Sequence, residues 1–189
     1  DKFLALTSIT TPTLLLNLPT KNSLLPHQTA LSMRPEDEAV QAASSLARLK
    51  YKHPIVLSHD DNVSQRVAQA FADQWQAQTG QKLDVVYFEE SKDMQASISD
   101  HLEVTASKQR IKEVDSKVKQ TIKFEPRNRR DIDMIYVVGS PTQTRLLKPY
   151  IDVNIAPFAK LIPIYASSRS HSVKIDNSNT RDLEGLTFT

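Results

Sequence analysis

The sequence predicts an α/β fold: a three-layer parallel sheet in the flavodoxin-like strand order 2-1-3-4-5, with helices on both faces. Three observations predict it. Ile132-Asp133-Met134-Ile135-Tyr136-Val137-Val138 is the longest apolar β-rich run, and its apolar residues are consecutive, as in a strand covered on both faces. Gly139-Ser140-Pro141 ends the run, and a helix-period segment follows at once. From Pro35 onward, β-rich runs alternate with helix-period segments, the pattern of right-handed βαβ crossovers.

Residues 1–30 precede that alternation. Lys2 to Leu6 reads as the end of a helix, and Thr13 to Leu18 as a short buried strand stopped by Pro19. Thr20 to Ala30 is polar, holds Pro26 and reads as a connector. Pro35 suits the first turn of a helix, where its missing N–H costs nothing. Glu36, Asp37 and Glu38 favour the same helix N-terminus. Val40, Ala43, Leu46 and Ala47 give it an apolar face, and His53-Pro54 ends it before strand Ile55-Val56-Leu57. Asn62 is the expected N-cap of the next helix, with Val63, Val67, Phe71 and Trp75 every fourth residue and Gly80 as C-cap. Leu83 to Phe88 is the second strand. Ser91 to Phe124 is charged and helix-prone, with two apolar stripes: Met94, Ile98 and Leu102, then Ile111, Val114, Val118 and Ile122. After the central strand, Ser140-Pro141 opens a helix that faces Leu146, Leu147, Tyr150 and Ile151 inward. Leu161 to Ala166 is the fourth strand, with Pro163 placing it at a sheet edge or at the strand's start. Ser167 to Thr180 is a polar loop, and Leu183 to Phe188 a last short strand.

Composition excludes several chemistries. The 189 residues contain no cysteine, so disulfides, thiolate metal sites and a cysteine nucleophile are absent. The three glycines, Gly80, Gly139 and Gly185, are too far apart for a dinucleotide fingerprint or a P-loop, and no cofactor is expected. There is no apolar run long enough for a membrane helix and no signal-peptide pattern. The start at Asp1 reads as that of a processed or excised piece. A net charge of +2 does not suggest a nucleic-acid binder. The charge is concentrated, however: residues 107–130 hold nine basic and three acidic residues, a net +6.

In a 2-1-3-4-5 sheet, ligands bind beyond the carboxyl ends of the strands at the switch point, here between strands 55–57 and 132–138. Three loops meet there, which makes His59, Asp60, Ser140, Ser168 and Arg169 the candidate cleft residues. His59, Asp60 and Asp61 are of metal-ligand type, but neighbours in sequence point different ways and no second cluster completes a shell; a turn with a helix cap is the plainer role. Ser140 lies in Val138-Gly139-Ser140-Pro141, which lacks the G-x-S-x-G elbow, so an N-cap is expected rather than a nucleophile. Ser167, Ser168 and Arg169 have the hydroxyls and guanidinium that suit a carboxylate or phosphate. The candidate partner-docking residues are Lys112, Lys119, Arg127, Arg129 and Arg130. Only Phe124 is aromatic among these charges, which argues against single-stranded nucleic acid. A solvated helical face is the plain account of the stretch. Docking on an acidic protein or on an anionic wall polymer such as peptidoglycan is the functional one.

Four runs in order carry a family resemblance: Leu31-Ser32 with Pro35 to Ala39; Arg66-Val67-Ala68 with Phe71 and Trp75; Tyr165-Ala166-Ser167-Ser168-Arg169-Ser170; and Leu183-Glu184-Gly185-Leu186. Together with Leu14-Leu15-Leu16-Asn17 they resemble the C-terminal domain of the LpoA family, outer-membrane lipoprotein activators of class A penicillin-binding proteins. That domain is similar to type I periplasmic binding proteins, two α/β lobes around a cleft. The resemblance implies that 1–30 are the tail of the first lobe and its crossover, and 31–189 the second lobe. Residues 91–131 match least and imply a basic helical insertion. It also implies a non-enzymatic role: binding a peptidoglycan synthase and stimulating it, in the periplasm, tethered to the outer membrane by the full-length protein. A solute-binding lobe for a small periplasmic ligand is the alternative. Strand 13–18, without its parent sheet, is expected to be exposed or to pair elsewhere.

Overall fold

The structure, a computed structural model, describes residues 10–16, 24–31, 34–89, 94–118, 123–156, 159–171 and 183–189. The chain runs β1 (Thr13–Leu15), β2 (Gln28–Ala30), α1 (Pro35–Ala47), β3 (Pro54–His59), α2 (Asn62–Thr79), β4 (Asp84–Phe88), α3 (Met94–His101), α4 (Val104–Lys117), β5 (Met134–Val138), α5 (Pro141–Asn154), β6 (Ile164–Ala166) and β7 (Leu186–Phe188). A short 3-10 turn, Ser168–Ser170, follows β6.

Five strands form one parallel sheet in the order β4-β3-β5-β6-β7, the expected 2-1-3-4-5. β5 lies at its centre and is buried at every position. The register sets Val56 beside both Val85 and Tyr136, and Tyr136 beside Tyr165. Side chains alternate across a strand, so each face supplies its own core. Val56, Met134, Tyr136 and Val138 face α1 and α2, where Phe71, Trp75 and Val67 are fully buried. Phe71 stacks on Tyr136 with ring centroids 3.9 Å apart. Ile55, Leu57, Ile135 and Val137 face the other way, onto Ile98 and Leu102 and onto Leu147 and Ile151 of α5. A buried hydrogen bond between Ser99 Oγ and Asn154 Oδ1 (2.8 Å) joins α3 to α5.

Several boundaries differ from expectation. The central and fourth strands begin later than predicted: Pro163 sits just before β6, where its carbonyl accepts from Ile135 N at 3.0 Å. The cap of α2 is Asp61, not Asn62: its carboxylate reaches the first-turn amides, whereas Asn62 is already helical. Glu103 takes a left-handed φ of 58° and divides the charged segment into α3 and α4. The first stripe is buried, but Val114 and Val118 of the second are exposed: only Val104 and Ser107, in the first turns of α4, are buried. Leu146 is also exposed; the inward face of α5 is Thr144, Leu147, Lys148 and Ile151.

The predicted connector ends in a strand, β2, which pairs in parallel with β1 as a separate two-stranded sheet. Leu14 and Leu16 are exposed beside it, while Thr13 and Leu15 are half-buried. The run has the apolar composition of a buried strand, but it lies outside the five-stranded sheet and is exposed on one side, as expected for strand 13–18. The helix end at Lys2–Leu6, Asn17-Leu18, Lys119, Ile122 and the loop beyond His171 lie outside the described residues.

Candidate functional site

The carboxyl edge of the five-stranded sheet assembles from the β3–α2 turn, the β5–α5 turn, the 3-10 turn after β6 and the N-terminus of α1. Each predicted cleft residue is there, but most are committed to local structure. Asp61 Oδ1 accepts from Val63 N and Ser64 N at 2.9 Å each, and Oδ2 from Ser64 Oγ at 2.6 Å. His59 Nδ1 donates to Asp61 Oδ2 at 3.0 Å, and its ring stands edge-on to Phe88. Burial works to raise the Asp61 carboxyl, but the hydrogen bonds from Ser64, His59 and Val63 outweigh it and hold the pKa at about 2. Asp60 accepts from the Gln65 side chain, and its backbone N–H donates to Phe88 O at 3.0 Å.

Ser140 forms a capping box. Its Oγ accepts from Gln143 N at 3.3 Å, and Gln143 Oε1 accepts from Ser140 N at 2.7 Å. The hydroxyl is thus used by the helix start, as its sequence context suggested. Ser168 donates through both N (2.7 Å) and Oγ to the Glu38 carboxylate, tying the turn after β6 to the first turn of α1. Nearby, Arg66 Nε donates to Glu36 Oε1 at 2.7 Å, and that hydrogen bond lowers the Glu36 carboxyl. The acidic first turn of α1 therefore does more than match the helix dipole: Glu36 and Glu38 fasten α2 and β6 to it. Sequence reasoning missed both pairs, since the partners lie 30 and 130 positions away. Two polar atoms at this edge remain unsatisfied, Ser167 Oγ and Arg169 Nη1, both buried.

The docking residues divide. Lys112 lies exposed on α4, and Lys119 is outside the described residues. Arg127, Arg129 and Arg130 lie at the opposite, amino-terminal edge of the sheet, where they line a cavity of about 840 Å³ with Lys50 and Lys160. Arg129 is spoken for: it grips Asp131 with Nε at 2.8 Å and Nη2 at 2.6 Å. The hydrogen bond from Arg129 dominates the Asp131 carboxyl and lowers its pKa to about 2. Lys50 and Lys160 were not foreseen, because they come from connections far away in sequence. Among the described residues, no three His, Asp or Glu side chains converge as a metal site, and no helix is long and apolar enough to cross a membrane.

A parallel five-stranded sheet with its cleft-forming loops at one edge is the fold of a periplasmic-binding-protein lobe. It is shared, at 22% identity and TM-score 0.65, with a branched-chain amino acid ABC transporter protein of Chromobacterium violaceum, over 95% of this chain and 47% of that one. The LppC lipoprotein family matches the chain over residues 2–189, and the chain belongs to that family. Relatives named penicillin-binding protein activator LpoA are 34% identical over 180 residues in Vibrio antiquarius and 36% over 154 residues in Photobacterium profundum. They are matched over 95% and 81% of this chain. The chain spans only 29% and 25% of those relatives' own lengths. The LpoA C-domain of Haemophilus influenzae, described as a regulator of PBP1A, superimposes with TM-score 0.62 at 23% identity, covering 94% of this chain and 46% of that domain.

Proposed function

We propose that this chain is the second lobe of a non-enzymatic activator that docks on a class A penicillin-binding protein and stimulates it. Residues 31–189 form that lobe, and β1 with its connector is the tail of the first. The full-length protein works in the periplasm, tethered to the outer membrane. The supporting observation is at the carboxyl edge: Asp61 and Ser140 cap helices and Ser168 is bound by Glu38, so three of the polar groups that could have held a solute there are already used by the fold. A lobe built this way is suited to act through its surface. A second function, holding a small anionic solute, is favoured by the unpaired Ser167 Oγ and Arg169 Nη1.

Titrating the isotope-labelled chain with the periplasmic region of a class A penicillin-binding protein tests the first function. Resonance shifts clustered on one face are expected, and none at saturating partner would refute it. A thermal-shift screen with amino acids and muropeptides tests the second, since a ligand held by the native fold raises the midpoint.

A further inference from the structure

The amino-terminal edge of the five-stranded sheet carries a groove in which most of the cationic side chains are left unpaired. Three connections build it: the α1–β3 turn, the loop before β5 and the segment between α5 and β6. Its cations are Lys50, Arg127, Arg129, Arg130 and Lys160; Arg129 is paired with Asp131, and among the described residues the other four form no ion pair. The groove's acids are two, Glu125 and Asp133, fewer than its cations; Asp133 accepts from Lys52 N at 2.5 Å and His53 N at 3.0 Å, which fixes its carboxylate against the backbone. The groove therefore keeps a surplus of positive charge. Two exposed leucines line the groove with the cations, Leu49 at 57% exposed and Leu161 at 88%.

The walls are held in place. Asn128 is buried; its Oδ1 accepts from Ala156 N at 3.2 Å and its Nδ2 donates to Arg129 O at 3.0 Å. Arg127 N donates to Ser107 Oγ at 3.1 Å, and Arg129 N to Leu102 O at 2.9 Å. The loop that presents Arg127 and Arg130 is thus anchored to α3, α4 and the end of α5. Lys50 adopts a left-handed φ of 61°, a conformation in which glycine costs less and which sets its side chain at the groove.

Resting on the activator function proposed above, we propose that this groove is the docking surface for an acidic peptide segment of the protein partner, one that interleaves carboxylates with apolar side chains. Guanidinium forks pair with carboxylates in two-point contacts, and the exposed leucines give apolar side chains a place to leave water. A glycan strand fits less well. Among the described lining residues the exposed apolar surface is that of Leu49 and Leu161, aliphatic rather than an aromatic stacking platform, and the half-buried Tyr51 is turned to Tyr165 by a hydroxyl–hydroxyl bond of 3.0 Å.

The test uses the whole chain and three probes: a short fluorescent peptide of glutamates interrupted by leucines, soluble glycan strands, and the periplasmic region of a class A penicillin-binding protein. Two variants alter the groove, Arg130→Glu with Lys160→Glu, and Leu161→Asp; all three positions are exposed, so their melting temperatures should match wild type. A charge-matched variant on α4, Lys108→Glu with Lys112→Glu, leaves the groove intact. Peptide and synthase region should bind the wild type and lose about tenfold or more in affinity with either groove variant, while the α4 variant changes little. No peptide binding, equal loss with the α4 variant, or tighter binding by glycan strands would overturn the docking surface. Synthase binding that is unchanged in both groove variants would overturn it while leaving the activator function standing. Peptide binding that depends on the groove, with no synthase binding at all, would uphold the surface and refute the activator function.

Discussion

Replacing Asp61 probes the junction on which the carboxyl edge depends. The carboxylate holds two amides of the first turn of α2 and the hydroxyl of the fully buried Ser64. Loss of an N-cap costs about 1 kcal/mol. A pKa lowered from 3.8 to about 2 corresponds to about 2.4 kcal/mol of preference for the ionised form. The side chain is 34% exposed, so solvent screening reduces that to roughly 1.5 kcal/mol. These contributions overlap, and Asp61→Ala should cost about 2 kcal/mol, a fall of about 1 M in the urea midpoint. Asp61→Asn, which can still cap, should cost less. The folded-state pKa lies below the unfolded value, so the stabilisation is complete above about pH 4 and is lost as pH falls towards 2. The gap between wild type and Asp61→Asn should therefore shrink by about half between pH 7 and pH 3. Urea titrations followed by Trp75 fluorescence at several pH values measure both effects. Equal midpoints, or a gap that does not change with pH, would refute the assignment of charge and cap to this side chain.

Glu38→Ala should release the turn after β6: hydrogen exchange at the Ser168 amide should accelerate, with a stability loss of about 1 kcal/mol or less. Unchanged protection at Ser168 would mean the tie does not hold the turn in solution. Phe71→Ala removes a fully buried ring stacked between Tyr136 and Trp75, and should cost about 3–5 kcal/mol, or roughly 10 °C in melting temperature. A drop of only a degree or two would show that the face formed by α1 and α2 tolerates a cavity.

Much of the sheet was legible because consecutive apolar runs and helix-period segments are local signals. Ile132 to Val138, the Val63–Trp75 stripe and Gly80 each announce their roles within one window of residues. β2 was not legible: Gln28, Thr29 and Ala30 have no apolar pattern, and only pairing with β1 makes them a strand. The second stripe misled because Ile111, Val114 and Val118 have helical spacing, which shows that a helix forms but not that anything covers it. At the carboxyl edge, sequence order located His59, Ser140 and Ser168 correctly but could not reveal that Asp61, Gln143 and Glu38 already satisfy them. Glu38 and Ser168 meet only through the tertiary fold. Lys50 and Lys160 escaped notice for the same reason: each is an ordinary surface lysine until three separate connections bring it beside Arg127 and Arg130.

The strand order also has a consequence in time. β5 sits between β3 and β6, yet it is made after β4, α3 and α4. When the chain emerges from synthesis or refolds, β3 and β4 can pair early around α2, leaving Ile55, Val56 and Leu57 with an unpaired ladder on one side. That open, apolar edge is a template for any other extended chain, and closing it requires a long loop to be drawn in first. The period before Met134–Val138 docks is thus when this protein is most prone to join a neighbour instead of itself, and its folding yield should fall with concentration for that reason.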